Sequence, residues 1–256
     1  MRAWILPGLA VLALAGCGAD DERATSGGDK PQLTVSAAAS LKTAFTRYGE
    51  QFPGASARFS FAGSDELAAQ IRQGVEPDVY AAANTKLPDE LFAAGLVEQP
   101  TVFAGNRLVL AVPAEDAEVG SLEDLQAEGV NLAIGSDDVP VGAYTRTVLE
   151  KLPPQQSRAI LANVRSEEPE VAGITGKLTQ GAVDAGFLYI SDVRATDGAL
   201  KAIELAEGLQ PSVAYGVAVV KGAMQPEAAR AFIAGLLDGA GATALQDAGF
   251  EPPPGE

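Results

Sequence analysis

Two serines stand where a predicted strand gives way to a predicted helix, and their hydroxyl groups are the first candidates for chemistry. Ser40 follows the strand-like run 32–35 and opens the helical run 41–52, and Ser64 closes the similar corner Phe61-Ala62-Gly63-Ser64. A serine in this position can cap the helix, while the helix start directs free backbone N–H groups beyond its tip. Two such corners close together in the chain favour a site for a small oxyanion, although a serine there more often only caps its helix.

Two more helix starts and one tyrosine extend this set. Val139-Pro140-Val141-Gly142 precedes a predicted helix at 144–152, and proline is favoured just inside a helix start because its missing N–H would be unpaired there. Pro169-Glu170-Val171 precedes a second helix, which runs to Gly181. Tyr189 ends the apolar strand 186–189, where a tyrosine is more often a core residue than a ligand.

Paired acids offer a different chemistry. Asp137-Asp138 and Glu167-Glu168 have the residue types that general acid–base catalysis or cation binding requires. Both pairs also directly precede helix starts, where acidic side chains are favoured simply as solvated charges. The second interpretation is the commoner one, and the sequence leaves both open.

The composition excludes several function classes. The chain has 256 residues, of which 47% are hydrophobic, enough for a large core in one domain or in two smaller lobes. Its net charge of −16 makes nucleic acid and anionic lipid surfaces poor partners. The absence of histidine removes the commonest general base and metal ligand, and every Ser-His-Asp or Cys-His mechanism. The single cysteine, Cys17, excludes an internal disulfide and a cysteine-cluster metal site.

The N-terminus is typical of a targeting segment. Arg2 supplies a short positive region, and the apolar run 4–15 is too short to span a bilayer as a mature helix. The run ends in Leu14-Ala15-Gly16-Cys17, which resembles the bacterial lipoprotein signal. We therefore predict a signal peptide at 1–16, lipidation of Cys17 and a flexible, polar tether at 17–31.

From residue 33 onward, short strand-like runs alternate with amphipathic helical runs. This order predicts an α/β protein with largely parallel sheets. Parallel sheets place ligands at the carboxyl ends of their strands, where the following helices begin. The two serines, the two other helix starts and Tyr189 all fall at such positions.

Several short motifs resemble, in order and spacing, those of the molybdate-binding solute-receptor proteins of ABC transporters. The resemblance covers nearly all of residues 32–250, and the motifs together are specific although each alone is weak. They are Ala37-Ala38-Ala39-Ser40-Leu41, Ser60-Phe61-Ala62-Gly63-Ser64, Pro77-Asp78-Val79-Tyr80, Gly105-Asn106-Arg107-Leu108-Val109-Leu110, Val139-Pro140-Val141-Gly142-Ala143-Tyr144, Gly186-Phe187-Leu188-Tyr189-Ile190-Ser191-Asp192 and Ala248-Gly249-Phe250.

The resemblance implies a two-lobed periplasmic-binding-protein fold of type II, with mixed, mostly parallel sheets and a ligand cleft between the lobes. Lobe one is expected to hold residues 32–110 plus 214–256, and lobe two residues 111–213. The two chain crossings between the lobes would act as a hinge, so that the lobes close around the ligand.

The resemblance also implies which groups hold a tetrahedral oxyanion. They are the hydroxyls of Ser40, Ser64 and Tyr189, and the main-chain N–H groups at Val141 and Val171. The match at Val171 is the loosest, because its flanking residues only partly follow the family pattern. Next to Ser64, Asp65 departs from the family pattern, and a carboxylate directed inward there would repel a dianion.

The implied function is capture of molybdate, and of tungstate, without catalysis and without a cofactor. The receptor would be monomeric, anchored by the N-terminal lipid on the periplasmic or extracytoplasmic side, and would deliver the anion to the permease of an ABC transporter. Three alternatives stay open: the same fold binding another oxyanion such as sulfate, a hydrolase using an acid pair such as Asp137 and Glu167, and a lipoprotein with a purely structural role.

Overall fold

The computed structural model describes residues 30–115 and 117–255 of the chain. The predicted signal peptide 1–16, the lipidation site Cys17 and nearly all of the predicted tether 17–31 lie outside these residues. None of the helices in the described ranges combines the length and the apolar character needed to cross a membrane.

Two five-stranded sheets form the framework of the molecule. The ten strands are β1 Gln32–Ala38, β2 Ser56–Ala62, β3 Val79–Ala82, β4 Thr101–Asn106, β5 Leu108–Pro113, β6 Leu132–Gly135, β7 Val164–Glu168, β8 Ala185–Tyr189, β9 Leu200–Glu204 and β10 Val213–Val219. The first sheet has the order β2-β1-β3-β10-β4, and the second has the order β7-β6-β8-β5-β9.

Helices connect the strands and cover both sheets. They are α1 Lys42–Gln51, α2 Ser64–Arg72, α3 Lys86–Ala93, α4 Pro140–Glu150, α5 Pro154–Ala162, α6 Val171–Thr179, α7 Ile190–Arg194, α8 Pro226–Leu237 and α9 Ala240–Asp247. Single 3₁₀ turns lie at Ala39–Leu41, Asp124–Gln126 and Glu207–Leu209. Parallel strands need a crossover connection, and helices supply it between β1 and β2 and between β6 and β7.

The two sheets share one pattern of strand directions. In the first, β1 pairs in parallel with β2 and β3, whereas β10 pairs antiparallel with β3 and β4. In the second, β6 pairs in parallel with β7 and β8, whereas β5 pairs antiparallel with β8 and β9. The sheets are therefore mixed, as expected, but parallel and antiparallel pairings are equal in number among these strands. The strands next to the chain crossings, β5 and β10, supply all the antiparallel pairings.

The boundary between the lobes differs from the expectation at both crossings. Leu108–Leu110, expected in lobe one, pairs with Tyr189 and its neighbours in β8 of the second sheet. Val213, expected in lobe two, pairs with Asn106 in the first sheet. Only Arg107 separates β4 from β5, so the apolar pattern contains no break that would mark the crossing.

The core follows from the burial of the strands. Every residue of β3, β6 and β8 is buried, as expected for strands covered by helices on both faces. In the first lobe, Phe45 of α1 packs edge-on against Phe232 of α8 with ring centroids 5.6 Å apart. The same two helices cover the first sheet, α1 packing on β2 and α8 on β10.

Candidate functional site

A small cleft opens where the carboxyl ends of β1 and β2 face those of β6 and β7. Its empty volume is about 250 Å³, including space open to solvent, which suits a small ion better than a drug-sized metabolite. The lining residues from the first lobe are Ala38, Ala39, Ser40, Ala62, Gly63, Ser64 and Ala83. Those from the second lobe are Val139, Pro140, Val141, Glu170, Val171 and Tyr189.

The structure brings all five predicted ligand residues into this one lining: Ser40, Ser64, Val141, Val171 and Tyr189. They are far apart in sequence and come from both lobes. Their position is therefore consistent with a shared ligand, while their part in holding one stays a prediction.

The lobes meet beside the cleft. A side chain at Gly63 would place its Cβ 2.6 Å from the carbonyl oxygen of Pro169, which belongs to the opposite lobe. Because real Cβ atoms do not approach oxygen so closely, only glycine allows this contact. The structure thus describes a closed arrangement of the two lobes.

The two serines do not cap their helices, contrary to the first expectation. Gly63, not Ser64, occupies the N-cap position of α2, and the 3₁₀ turn that contains Ser40 also lacks a side-chain cap. The Ser64 hydroxyl oxygen instead accepts the backbone N–H of Ala83 at 3.0 Å. Since a hydroxyl has one proton to donate, this acceptor role leaves the Ser64 proton free for the cleft.

Val141 and Val171 both lie in the first turn of a helix. α4 begins at Pro140, well before the predicted start near Tyr144, and Val171 is the first residue of α6. The first N–H groups of a helix have no partner within it and carry the positive end of the helix dipole. Each valine therefore offers the cleft a main-chain donor, whatever its side chain.

The hydroxyl of Tyr189 is a buried donor at the site. Its side chain is 1% exposed, and its hydroxyl oxygen has no hydrogen-bond partner among the described residues. Burial raises the pKa of Tyr189 well above its ordinary value, so the phenol keeps its proton. A buried hydroxyl without a partner costs about 1–3 kcal/mol, which a ligand in the cleft would recover.

Two acids near the cleft behave differently. Glu170 lines it, and burial raises the pKa of this carboxyl, with a further increase from Glu66 and a decrease from Lys42. Asp65 does not line the cleft, so its carboxylate would act on an anion there only from a distance. Burial also raises the pKa of Asp65, backbone N–H groups of its own helix start lower it, and Asp138 of the other lobe raises it again.

The acid pairs proposed for catalysis lie elsewhere. Arg146 forms ion pairs with Asp137 and, at 3.1 Å, with Glu167. Both carboxylates are mostly solvent-exposed and absent from the cleft lining. A shared arginine on the surface explains these acids without a catalytic role.

Sequence reasoning missed the residues that orient the serines. Ala83 holds the Ser64 hydroxyl, Tyr80 donates to the Ser64 carbonyl at 2.7 Å, and Tyr215 lies 3.0 Å from the Ser40 hydroxyl. Tyr80 belongs to the motif Pro77-Asp78-Val79-Tyr80, which gave it no predicted role. For Tyr215 the sequence offers no signal beyond its place in an apolar strand.

Comparisons with known proteins agree on family and fold. The family described as bacterial extracellular solute-binding protein matches residues 33–251. Molybdate-binding protein ModA of Mycobacterium tuberculosis is 34% identical over 258 residues, which cover 97% of each chain. The structure of the Azotobacter vinelandii periplasmic molybdate-binding protein gives a TM-score of 0.76 at 19% identity, covering 87% of this chain and 100% of that one.

A second solved structure is equally similar in shape. The sulfate-binding protein SubI from Mycobacterium tuberculosis gives a TM-score of 0.77 at 16% identity, covering 87% of both chains. At these identities the two superpositions show the two-lobed, type II fold alone, and not the ligand. Together with the family match over nearly the whole described chain, they lead to one conclusion: the chain belongs to the bacterial extracellular solute-binding proteins.

Proposed function

We propose that the protein binds molybdate, and also tungstate, between its two lobes and delivers the anion to the permease of an ABC transporter. Tungstate is included because it has the same charge and tetrahedral shape and nearly the same size. The binding step needs no cofactor and no covalent chemistry. The extracytoplasmic side of the membrane is the expected place of work, since the family is one of extracellular receptors.

The observation that carries the proposal is the buried hydroxyl of Tyr189, which has no partner among the described residues and lies at a cleft surrounded by other donors. The Ser64 proton and the first-turn N–H groups at Val141 and Val171 lie in the same lining. A site with this set of neutral donors suits a ligand that only accepts hydrogen bonds, such as a fully deprotonated oxyanion.

Helix dipoles explain how an acidic protein can hold an anion. Among the residues that the structure describes, no lysine or arginine lines the cleft, and the whole chain has a net charge of −16. Each helix start presents roughly half a positive charge, so the four starts offset about two negative charges at most. Distant acids matter less, because at ~0.15 M salt their field is screened beyond about 8 Å.

The protonation state of the anion narrows the class of ligand. Hydrogen phosphate would direct its own O–H at a donor, and such an unpaired contact costs ~1–3 kcal/mol. Sulfate, like molybdate, is fully deprotonated at neutral pH and is therefore the second candidate. The 34% identity to a molybdate-binding protein, over 97% of each chain, favours molybdate.

Anchoring by a lipid on Cys17 completes the proposal. A membrane-held receptor with a soluble, monomeric body would stay close to its permease, and closure of the lobes would create the surface that the permease recognises. Palmitate labelling of the protein in a bacterial host, compared between the native chain and Cys17→Ser, tests the anchor.

Isothermal titration of the purified protein with molybdate, tungstate, sulfate and phosphate tests the ligand. We expect one-to-one binding with molybdate and tungstate, and much weaker binding with sulfate and phosphate. Tyr189→Phe should weaken molybdate binding by about 5- to 150-fold, the equivalent of ~1–3 kcal/mol.

The matched control is Tyr144→Phe. The Tyr144 ring lies 6.4 Å from that of Tyr189 but does not line the cleft, so its loss of a hydroxyl should leave molybdate affinity unchanged. Tight binding of sulfate alone would assign the site to the second candidate. Heat with none of the four anions would reject an oxyanion receptor.

A further inference from the structure

A line of buried polar groups continues from Ser40 into the first lobe. The Ser40 hydroxyl oxygen lies 3.0 Å from the hydroxyl oxygen of Tyr215, and the side-chain amide nitrogen of Asn106 lies 3.4 Å from that same Tyr215 oxygen. Ser40, Tyr215 and Asn106 are 8%, 0% and 4% exposed. Only Ser40 lines the cleft, so the other two groups act on a ligand, if at all, through it.

The direction of these hydrogen bonds starts at Asn106. Its amide oxygen accepts the backbone N–H of Arg107 at 2.9 Å, so its amide nitrogen must face the opposite way. There the nitrogen donates to the Ser191 hydroxyl at 2.8 Å and, over the longer distance, to Tyr215. An amide nitrogen can only donate, and Tyr215 is therefore the acceptor in this contact.

The hydroxyl proton of Tyr215 then has one available acceptor among the described residues. Burial raises the pKa of Tyr215 well above its ordinary value, so the phenol stays protonated. Within the described ranges, Ser40 Oγ is the acceptor recorded for this hydroxyl. Leaving a buried O–H without an acceptor costs more than a typical hydrogen bond contributes, which favours Tyr215 as donor and Ser40 as acceptor. The Ser40 proton is consequently free for the cleft.

We infer that Tyr215 and Asn106 are positioning residues that hold Ser40 as a hydrogen-bond donor and thereby select against anions that present their own O–H. This inference rests on the proposed oxyanion-binding function and adds to it the groups that set the donor character of one ligand residue. Without Tyr215, the Ser40 hydroxyl could rotate and accept a proton from an anion such as hydrogen phosphate.

Ser40, Tyr215 and Asn106 belong to one lobe, whereas Ser191, the other acceptor of the Asn106 amide, belongs to the second. Asn106 ends β4, Tyr215 lies in the adjacent strand β10, and Ser40 follows β1 of the same sheet. Opening of the lobes separates the two sheets but leaves these three residues together. Ser40 is therefore a preset donor before the ligand arrives, so binding does not have to order it.

A double-mutant cycle on the purified protein tests this, with molybdate affinity measured by calorimetry. Tyr215→Phe should weaken molybdate binding about three- to tenfold, the scale of one hydrogen bond. Because Tyr215 acts through Ser40, the same substitution in a Ser40→Ala background should change the affinity less than about twofold. An equal loss in both backgrounds would overturn the inference.

Phosphate affinity distinguishes a positioning role of Tyr215 from a merely structural one, because loss of structure alone would weaken the binding of both anions. Measured by competition with molybdate, phosphate binding to Tyr215→Phe should be unchanged or tighter, so that the preference for molybdate narrows. Equal weakening of both anions would indicate a loosened site and would also overturn the inference. Ser191→Ala, which removes the other acceptor of the Asn106 amide, should leave the preference intact.

Titration of the wild type distinguishes failure of the proposed function from failure of the inference about Tyr215 and Asn106. If the wild type binds no oxyanion, the proposed function fails and the inference fails with it. If the wild type binds molybdate but the cycle is additive, only the inference about Tyr215 and Asn106 is rejected.

Discussion

Replacing Asp192 with asparagine should remove one step from the pH dependence of folding stability. Asp192 is buried in the short helix α7, and its carboxylate accepts the backbone N–H of Tyr189 at 3.2 Å. Burial raises the pKa of Asp192 from 3.8 to about 7, against a smaller lowering by that hydrogen bond. The asparagine side chain can accept the same N–H through its oxygen, so the substitution removes the ionisation and keeps the contact.

The sign and size follow from the raised pKa. A carboxyl with a higher pKa in the folded than in the unfolded state binds its proton more tightly when folded. The resulting stabilisation is complete below pH ~3.8 and is lost as the pH rises through about 7. The shift corresponds to about 4 kcal/mol, since each tenfold change in proton affinity is about 1.4 kcal/mol. About 2–3 kcal/mol of it falls between about pH 5 and about pH 8.

Urea unfolding of the wild type and of Asp192→Asn at these two pH values measures the effect. The variant should gain about 2–3 kcal/mol of unfolding free energy relative to the wild type on going from the lower to the higher pH. Comparing the two proteins cancels the contribution of the other acids. The control, Asp89→Asn on the exposed face of α3, should show no such gain. If the unfolding free energies of the wild type and Asp192→Asn changed with pH in parallel, ionisation of Asp192 would not contribute to the pH dependence of stability.

Three further substitutions test the site and its supports. Ser64→Ala should weaken molybdate binding by ~1–3 kcal/mol in calorimetry, whereas Ser60→Ala, on the exposed side of β2, should not; equal losses would contradict the assigned donor. Gly142→Ala should lower the unfolding free energy in urea by ~1–3 kcal/mol, because a Cβ there overlaps backbone oxygens of the preceding turn. Gly208→Ala, with open space around it, serves as its control and should leave stability nearly unchanged. Asp65→Asn should tighten molybdate binding about two- to fivefold, a modest gain because water screens a half-buried carboxylate. Molybdate affinity of the wild type should fall as rising pH ionises Asp65, and that fall should be smaller in the variant. Weaker binding by the variant would contradict this prediction.

Much of the fold could be predicted from periodicity, but an edge strand with a polar sequence could not. Central strands such as β6 and β8 are continuous apolar runs, and the amphipathic helices α1 and α8 repeat at helical spacing. The edge strand β7, in contrast, alternates between half-buried and exposed residues and has a polar sequence, so its pairing with β6 comes from tertiary context.

The meeting of the candidate site residues in one cleft was predictable from the sequence, but their hydrogen bonding was not. Motif order and helix starts placed Ser40, Ser64 and Tyr189 in one cleft, as the structure has them. The direction of each hydroxyl depends on partners that the sequence does not connect to it. Tyr215 is 175 residues away from Ser40, and Ala83 is 19 residues away from Ser64. The assumption that these serines cap their helices failed for this reason.

Because β10 lies between β3 and β4, the first sheet has a gap in its middle until residues 213–219 are in place. The second sheet takes all its strands from the unbroken stretch 108–204 and closes shorter loops, which favours faster formation. A chain emerging from its N-terminus should therefore complete the second lobe first, although the first lobe contains the earliest strands. Ser40 gains its partner Tyr215 only with that late strand, so the candidate cleft takes its final form only after residues 213–219 have folded.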